Sequence, residues 1–210
     1  MCNSNAKQSG FTLIEMAIVL VVIGLILGMV YKGRQLIDSA KVKKMAAQRD
    51  KIIAGINTFY DRYGFYPGDG CGSDSDYNSN SPTPTDCNGQ KNGYIDGLSE
   101  NNSAEGLAFW QLLIEVTNIL SEADRESVFG QPWEILEGNN AAAGLPPETD
   151  WIDLPGGLQA DVRIVCDLDR LIDDGDPSQG NVITFSSPYD KNDDCWSLSG
   201  QVNVHLKVLP

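Results

Sequence analysis

Histidine occurs once among the 210 residues, as His205, and no Cys-x-x-Cys pair is present. That scarcity argues against a zinc centre, which draws on those ligands at close spacing. No P-loop, no Gly-x-Ser-x-Gly and no His-Glu-x-x-His occurs either. Carboxylates abound, but none stands in a recognisable frame with a histidine or a nucleophile, so the chain is not expected to be an enzyme. Cations are scarce beyond residue 63. Residues 64–210 hold six Lys/Arg against 25 Asp/Glu, a net of −19, whereas residues 1–63 hold nine against four. Phosphate contacts need clustered cations, so the acidic part is not expected to bind nucleic acid. Its charge suits a solvated surface or a cation site. Proline is missing before Pro67, so between Phe11 and Tyr63 only tolerated glycines interrupt a helical run, which Gly64 and Pro67 then stop.

The strongest feature is the apolar stretch from Phe11 to Tyr31. Its 21 residues span roughly 30 Å at about 1.5 Å per residue, the thickness of a hydrocarbon layer. One acid, Glu15, interrupts it five residues after Gly10. An unpaired charge inside such a segment costs on the order of 2.5 to 3.5 kcal/mol. A plain anchor has no use for it unless Glu15 lies shallow enough to reach head groups, so its retention points to a positively charged partner on another molecule. Gly24 and Gly28 form a Gly-x-x-x-Gly spacing that permits close approach of helices in a membrane.

Gly10-Phe11-Thr12-Leu13-Ile14-Glu15, followed by the apolar run, resembles the processing site of type IV pilins and the pseudopilins of type II secretion. The resemblance implies cleavage by a prepilin peptidase between Gly10 and Phe11, then methylation of the new Phe11 amine. It also implies pairing of that amine with Glu15 across neighbouring subunits. One departure is visible: many pilins carry a proline near the far end of the apolar run, and this chain has none. Residues 108–113 and 173–182 resemble, more weakly, elements of minor pilin-like proteins. The leader, residues 1–10, has no apolar stretch of its own and is not a standard secretory signal. Cys2 lies within it and reads as incidental. Lys7 alone precedes the span while Lys32 and Arg34 follow it, so counting positive charges favours the opposite topology. The resemblance and the cysteines outweigh that count.

Four cysteines remain beyond the leader: Cys71, Cys87, Cys166 and Cys195. An even number in loop-rich sequence suggests disulfides and an oxidising compartment. Three pairings are open, and proximity in sequence favours Cys71–Cys87 with Cys166–Cys195. The second would resemble the C-terminal disulfide loop of many pilins.

Beyond the membrane segment, Ile37, Ala40, Met45, Ile52, Ile53, Ile56, Phe59, Tyr60 and Tyr63 recur at helical spacing. They predict a stripe that packs on a domain, with Lys41, Lys43, Lys44, Arg49 and Lys51 mostly on the other face. Residues 68–103 read as loop, held by a disulfide or an ion. Ala104 to Leu120 reads as an amphipathic helix with Ser103 as its N-cap. Residues 121–160 read as loop with at most short strands. Val162 to Ile172 predicts a short helix, and Val182 to Phe185 and Gln201 to Val208 predict strands. Alternation in the last places His205 on a polar face, with no role.

Two candidate calcium sites follow from oxygen-bearing loops. Asn88 to Ser99 partly fits a calcium loop, with Asn88, Gln90, Asn92 and Asp96 as ligands and Gly93 at the tight turn. It lacks a leading aspartate and a closing glutamate, and a polar turn is the plainer reading. The second is the loop with Asp190, Asp193 and Asp194. Asp167, Asp169, Asp173, Asp174 and Asp176 form a further acidic cluster, read as turn and helix caps.

The expected fold is α+β and pilin-like: a long N-terminal helix packed on a small antiparallel sheet with long disulfide-tied loops. The expected divisions are a leader (1–10), a membrane and assembly half of the helix (11–31), an amphipathic half (32–63) and an acidic head (64–210). The expected function is a structural subunit, a minor pilin or pseudopilin, of a pilus-like filament or fimbrium. Its partners would be like subunits, prepilin peptidase, an inner-membrane assembly platform and lipid. It would sit in the inner membrane with its head in the periplasm, then in a periplasmic or surface filament. The alternative is a calcium-dependent binding or adhesin module tethered by an uncleaved anchor.

Overall fold

The computed structural model describes residues 11–96, 104–137, 145–155, 160–185 and 188–209. Two compact units emerge, Met1–Ala40 and Lys41–Pro210. Helix α1 runs from Leu13 to Tyr63.

In the first unit α1 is apolar and uncovered. The large side chains from Phe11 to Val30 are exposed, Leu13 by 90% and Met29 by 71%. No described residue shields them, and such exposed apolar surface calls for lipid or neighbouring molecules. Among the described residues this is the one helix long and apolar enough to cross a membrane.

The second unit is built on residues 41–63 of α1. Val42, Met45, Ile52, Ile56 and Phe59 are fully buried, at threes, fours and a seven, one face of a helix. The stripe is shorter than its sequence pattern: Ile37 is exposed, and Tyr60 and Tyr63 are over 40% exposed at the helix end. Polar residues, Gln48 and Arg49 among them, tie the helix to the rest. Gln48 donates through Nε2 to the carbonyls of Asp124 and Glu126 at 2.6 and 2.8 Å. Arg49 donates to the Lys207 carbonyl at 2.8 Å and to Asn181 Oδ1 at 3.3 Å. Arg49 is therefore a partly buried tie and not a solvated cation. At Gly55 a Cβ would stand 3.0 Å from the Leu120 side chain, so the small residue lets that loop seat on the helix.

After α1 come α2 (Ala104–Gln111), a π turn (Leu112–Val116), α3 (Glu122–Arg125), β1 (Glu134–Glu137), β2 (Asp150–Asp153), β3 (Ala160–Asp161), α4 (Val162–Ile172), β4 (Val182–Ile183), β5 (Gln201–Val202) and β6 (His205–Leu209). The helix expected to reach Leu120 stops at Val116. Thr117 caps it, giving both its N–H and its hydroxyl to the Leu112 carbonyl, and Asn118 turns the chain at φ 50°. The proposed N-cap Ser103 lies outside the described residues. Helix α4 has the predicted bounds, and its N-cap Asp161 accepts from the Arg163 N–H at 3.0 Å.

The main sheet is antiparallel with order β1-β2-β6-β4, and β3 pairs with β5 in a second. This is the α+β, pilin-like layout. The strand expected over Gln201–Val208 is broken at Asn203-Val204. There the chain changes sheets, Val202 pairing with Ala160 and His205 with Ile183. The break corrects the reading of His205. β6 lies inside the sheet and is covered on both faces, the second by a cluster of Leu136, Leu145, Trp151 and Ile183 with Phe185 against it. His205 is 2% exposed, with its ring edge-on to Phe185 at 4.6 Å. Strand β4 ends at Ile183, because Thr184 turns to the Pro177 carbonyl.

Candidate functional site

Phe11, which is 80% exposed, lies just before α1. Thr12 is the residue immediately before the helix. Its N–H and its hydroxyl both donate to Glu15 Oε2, each at 2.8 Å, and the Glu15 N–H faces the Thr12 hydroxyl at 3.4 Å. This is a capping box: residues three apart satisfy each other's orphan groups at a helix start. Sequence reasoning placed Glu15's partner on a neighbour and missed Thr12, although Thr-x-x-Glu is itself the pattern of the box. The box aims one carboxylate oxygen back over the helix start. Phe11, Glu15, Met16 and Val19 border one open hollow there. The geometry can therefore offer a fixed carboxylate at the edge of an apolar surface. Gly10 lies outside the described residues.

Gly24 and Gly28 sit on α1 with nothing within 4 Å of either missing Cβ. The face they share is open to a close helical neighbour.

The head's candidate residues fall into place differently. Disulfides join Cys71 to Cys87 and Cys166 to Cys195, with Cα atoms 4.0 and 5.5 Å apart. The loop before α2 is held by the first of these and by three buried carboxylates. Asp69 accepts from the N–H groups of Asn92 and Gly93, both at 3.1 Å. Glu105 accepts from Gly70 at 3.0 Å and Asp96 at 2.8 Å. Asp150 accepts from Ile95 at 3.1 Å. Desolvation raises all three pKa values, Glu105 to about 7 and Asp150 to about 8. The sequence holds no signal for these pairings, whose members lie nine to 55 residues apart.

In the first candidate calcium loop the side-chain oxygens of Asn88, Asn92 and Asp96 already accept hydrogen bonds. Asn88 exchanges hydrogen bonds with Asp76, Asn92 Oδ1 accepts from the Tyr94 N–H, and Asn92 Nδ2 donates to Asp96. Gln90 meets Asp74 through its backbone N–H. Ser99, the loop's last position, lies outside the described residues. In the second loop Asp193 accepts from the Asp190 N–H and Asp194 caps a short turn at Trp196. Among the described residues, no three His, Cys, Asp or Glu side chains gather as a metal site would require. In the remaining acidic cluster, Asp169 is buried and accepts from the Tyr189 hydroxyl at 2.9 Å, with its pKa raised by burial to about 6. Asp173 accepts from the Asn181 N–H, and Asp176 from Ser178.

Residues 5–31 match the model of the prokaryotic N-terminal methylation motif, the signature of type IV pilins and pseudopilins. The match ends at Tyr31 and so concerns the processing site and apolar run alone. No curated protein and no solved structure matches the chain.

Proposed function

We propose that the chain is a structural subunit of a type IV pilus-like filament, a minor pilin or a pseudopilin. A prepilin peptidase cuts between Gly10 and Phe11, and the Phe11 amine is then methylated. The observation that carries this reading is the methylation motif on a helix whose apolar surface, from Phe11 to Val30, is left uncovered by the described residues. Before assembly that surface is satisfied by inner-membrane lipid, and afterwards by the same helix of adjoining subunits.

The Phe11 amine of an incoming subunit and Glu15 of a neighbour neutralise each other in a medium where either charge alone is expensive. The pair thus sets the axial register of addition. Thr12 keeps the Glu15 carboxylate oriented and hydrogen-bonded while it waits. Gly24 and Gly28 let neighbouring helices approach closely. An acidic head in the periplasm, tied by two disulfides, completes the subunit, and an inner-membrane platform drives its addition. About 145 residues of head with long loops suit a minor position better than a repeating shaft.

Intact mass of the membrane form, together with the protein content of sheared filaments, tests this. A chain beginning at methylated Phe11 and recovered in the sheared fraction is expected. A membrane form retaining residues 1–10 and never found in filaments would favour the tethered binding module instead.

A further inference from the structure

The loop before α2 carries two Asn-Gly pairs, Asn88–Gly89 and Asn92–Gly93. In such a pair the glycine nitrogen can close a five-membered ring on the asparagine side-chain carbonyl, with no glycine side chain in the way. The nitrogen must give up its proton to do so, and the acceptor of the glycine N–H therefore matters. Gly89 donates to the Gly70 carbonyl at 2.9 Å, and a carbonyl is not a base at ordinary pH. Gly93 donates instead to Asp69 Oδ2 at 3.1 Å, while the Asn92 N–H holds Asp69 Oδ1, also at 3.1 Å. Asp69 is 2% exposed, and burial raises its pKa, which makes it a stronger base than a solvated carboxylate.

The Asn92 side chain is held at both ends. Its Oδ1 accepts from the Tyr94 N–H at 3.0 Å, a donor placed where negative charge grows during attack on the side-chain carbonyl. Its Nδ2 donates to Asp96 Oδ2 at 3.0 Å. Asn92 is exposed, so water reaches it. Gly93 stands at φ 90°, with nothing within 4 Å of its missing Cβ. Asn88 is held in a similar way, by the N–H and the carboxylate of Asp76. The two pairs thus differ chiefly in what the glycine N–H faces.

We propose that Asn92–Gly93 is a self-modification site, with Asp69 as the base for succinimide formation. Asp69 takes the Gly93 proton, the Gly93 nitrogen bonds to Asn92 Cγ, and the carbonyl electron pair moves onto Oδ1 beside the Tyr94 N–H. That pair then returns, the Cγ–Nδ2 bond breaks, and Nδ2 takes the proton through solvent and leaves as ammonia. Water next opens the ring at either carbonyl, giving aspartate or isoaspartate. One water is consumed and one ammonia released, with no oxidation or reduction. The product puts a further carboxylate beside Asp96, in place of the amide that Asp96 held.

The test follows both pairs by peptide mapping of the full chain, incubated in detergent micelles and, in parallel, unfolded in urea with reductant. Conversion is read as the mass by which aspartate exceeds asparagine, with isoaspartate separated by retention. The expected result is that Asn92 converts faster in the folded chain than in urea, while Asn88 converts more slowly folded than unfolded. Asp69→Asn, which keeps an acceptor but loses the base, should slow Asn92 in the folded chain by roughly a hundredfold, the low end of what a positioned base contributes. An intact Cys71–Cys87 disulfide and an unchanged Asn88 rate show that this variant keeps the loop. If it does not, the comparison of folded with unfolded native chain decides alone. Asn92 reacting no faster folded than in urea overturns the proposal. So does an unchanged Asn92 rate in folded Asp69→Asn.

Discussion

Thr12 holds the Glu15 carboxylate twice, through its N–H and its hydroxyl, both at 2.8 Å. A carboxylate at the start of a membrane helix is thus hydrogen-bonded before any neighbour arrives. This alters the energetic account of assembly. In the proposed assembly the incoming amine would add charge neutralisation to an acid already oriented by its own chain, where the simpler picture has a bare acid waiting.

Thr12→Val should therefore weaken assembly without blocking processing, since it removes the hydroxyl but keeps the N–H. The loss of a cap side chain is worth about 1 kcal/mol. Thr12→Ser, which keeps both donors, should behave as the native chain. The ratio of processed subunit in membranes to subunit in sheared filaments reads this. Normal filament content in Thr12→Val would show that the capping box has no part in assembly.

Gly10→Val should leave full-length precursor in the membrane and no filament, because in the proposed function cleavage between Gly10 and Phe11 precedes assembly. Mass spectrometry of the membrane fraction decides it. A chain beginning at Phe11 in that variant would refute the assignment of the cleavage site.

Each disulfide should contribute about 3 to 4 kcal/mol in the chain-entropy view, for closures of 16 and 29 residues. Replacing Cys166 and Cys195 together by Ala should lower the melting temperature of the head and leave Cys71–Cys87 intact. Unreduced peptide maps give the connectivity. Free thiols at all four positions would contradict both the pairing and an oxidising location.

Legibility in the sequence followed the range of the physics involved. The methylation motif, α1 and α4 were readable because they rest on local signals: a lone charge in an apolar run, and apolar residues at helical spacing. Even the Thr12–Glu15 box is legible, three residues apart, although a lone acid in an apolar run points first to a partner outside the chain. The sheet was not. Strands β1 and β2 are four residues each in irregular sequence, and β2 finds β6 more than fifty residues away. His205 was misplaced for the same reason. Alternation describes a strand with one wet face, and nothing local announces that Leu136, Leu145, Trp151 and Ile183 cover the other. The buried Asp69, Glu105 and Asp150 likewise depend on which loop folds over them.

Those buried groups predict the pH profile of the head. The folded pKa values of Glu105 and Asp150 stand above their ordinary values, at about 7 and about 8. Folding therefore favours their protonated forms, and their contribution falls as pH rises toward 8. His205 acts oppositely, because burial lowers its pKa to about 4. Its contribution is present above about pH 6.5 and is lost as pH falls toward 4. Between pH 6.5 and 8 the carboxylates act alone of these three, so melting temperature should decline over that window. Asp150→Asn retains an acceptor for the Ile95 N–H and should flatten the decline. An unchanged slope in that variant would mean Asp150 is already ionised at pH 6.5.

The last prediction concerns Glu15 itself. Removing the carboxylate takes a charge out of lipid, so Glu15→Val should enter the membrane at least as readily as the native chain. It also frees the Thr12 hydroxyl, an effect confined to the first turn of α1. The head belongs to the second compact unit, Lys41–Pro210, and should keep its disulfides and melting behaviour. In the proposed pairing the assembly defect would then arise at the adjoining subunit, whose Phe11 amine would be left unpaired in hydrocarbon. The variant can be expressed beside the native chain and both counted in membranes and in sheared filaments. Normal processing with depleted filament content is expected. Glu15→Gln separates charge from capping, since its amide oxygen can still accept from Thr12. If Glu15→Gln assembles like the native chain while Glu15→Val does not, the capping box matters and the charge pair does not. If both enter filaments fully, Glu15 serves neither purpose and a simple membrane anchor becomes the better account of the segment.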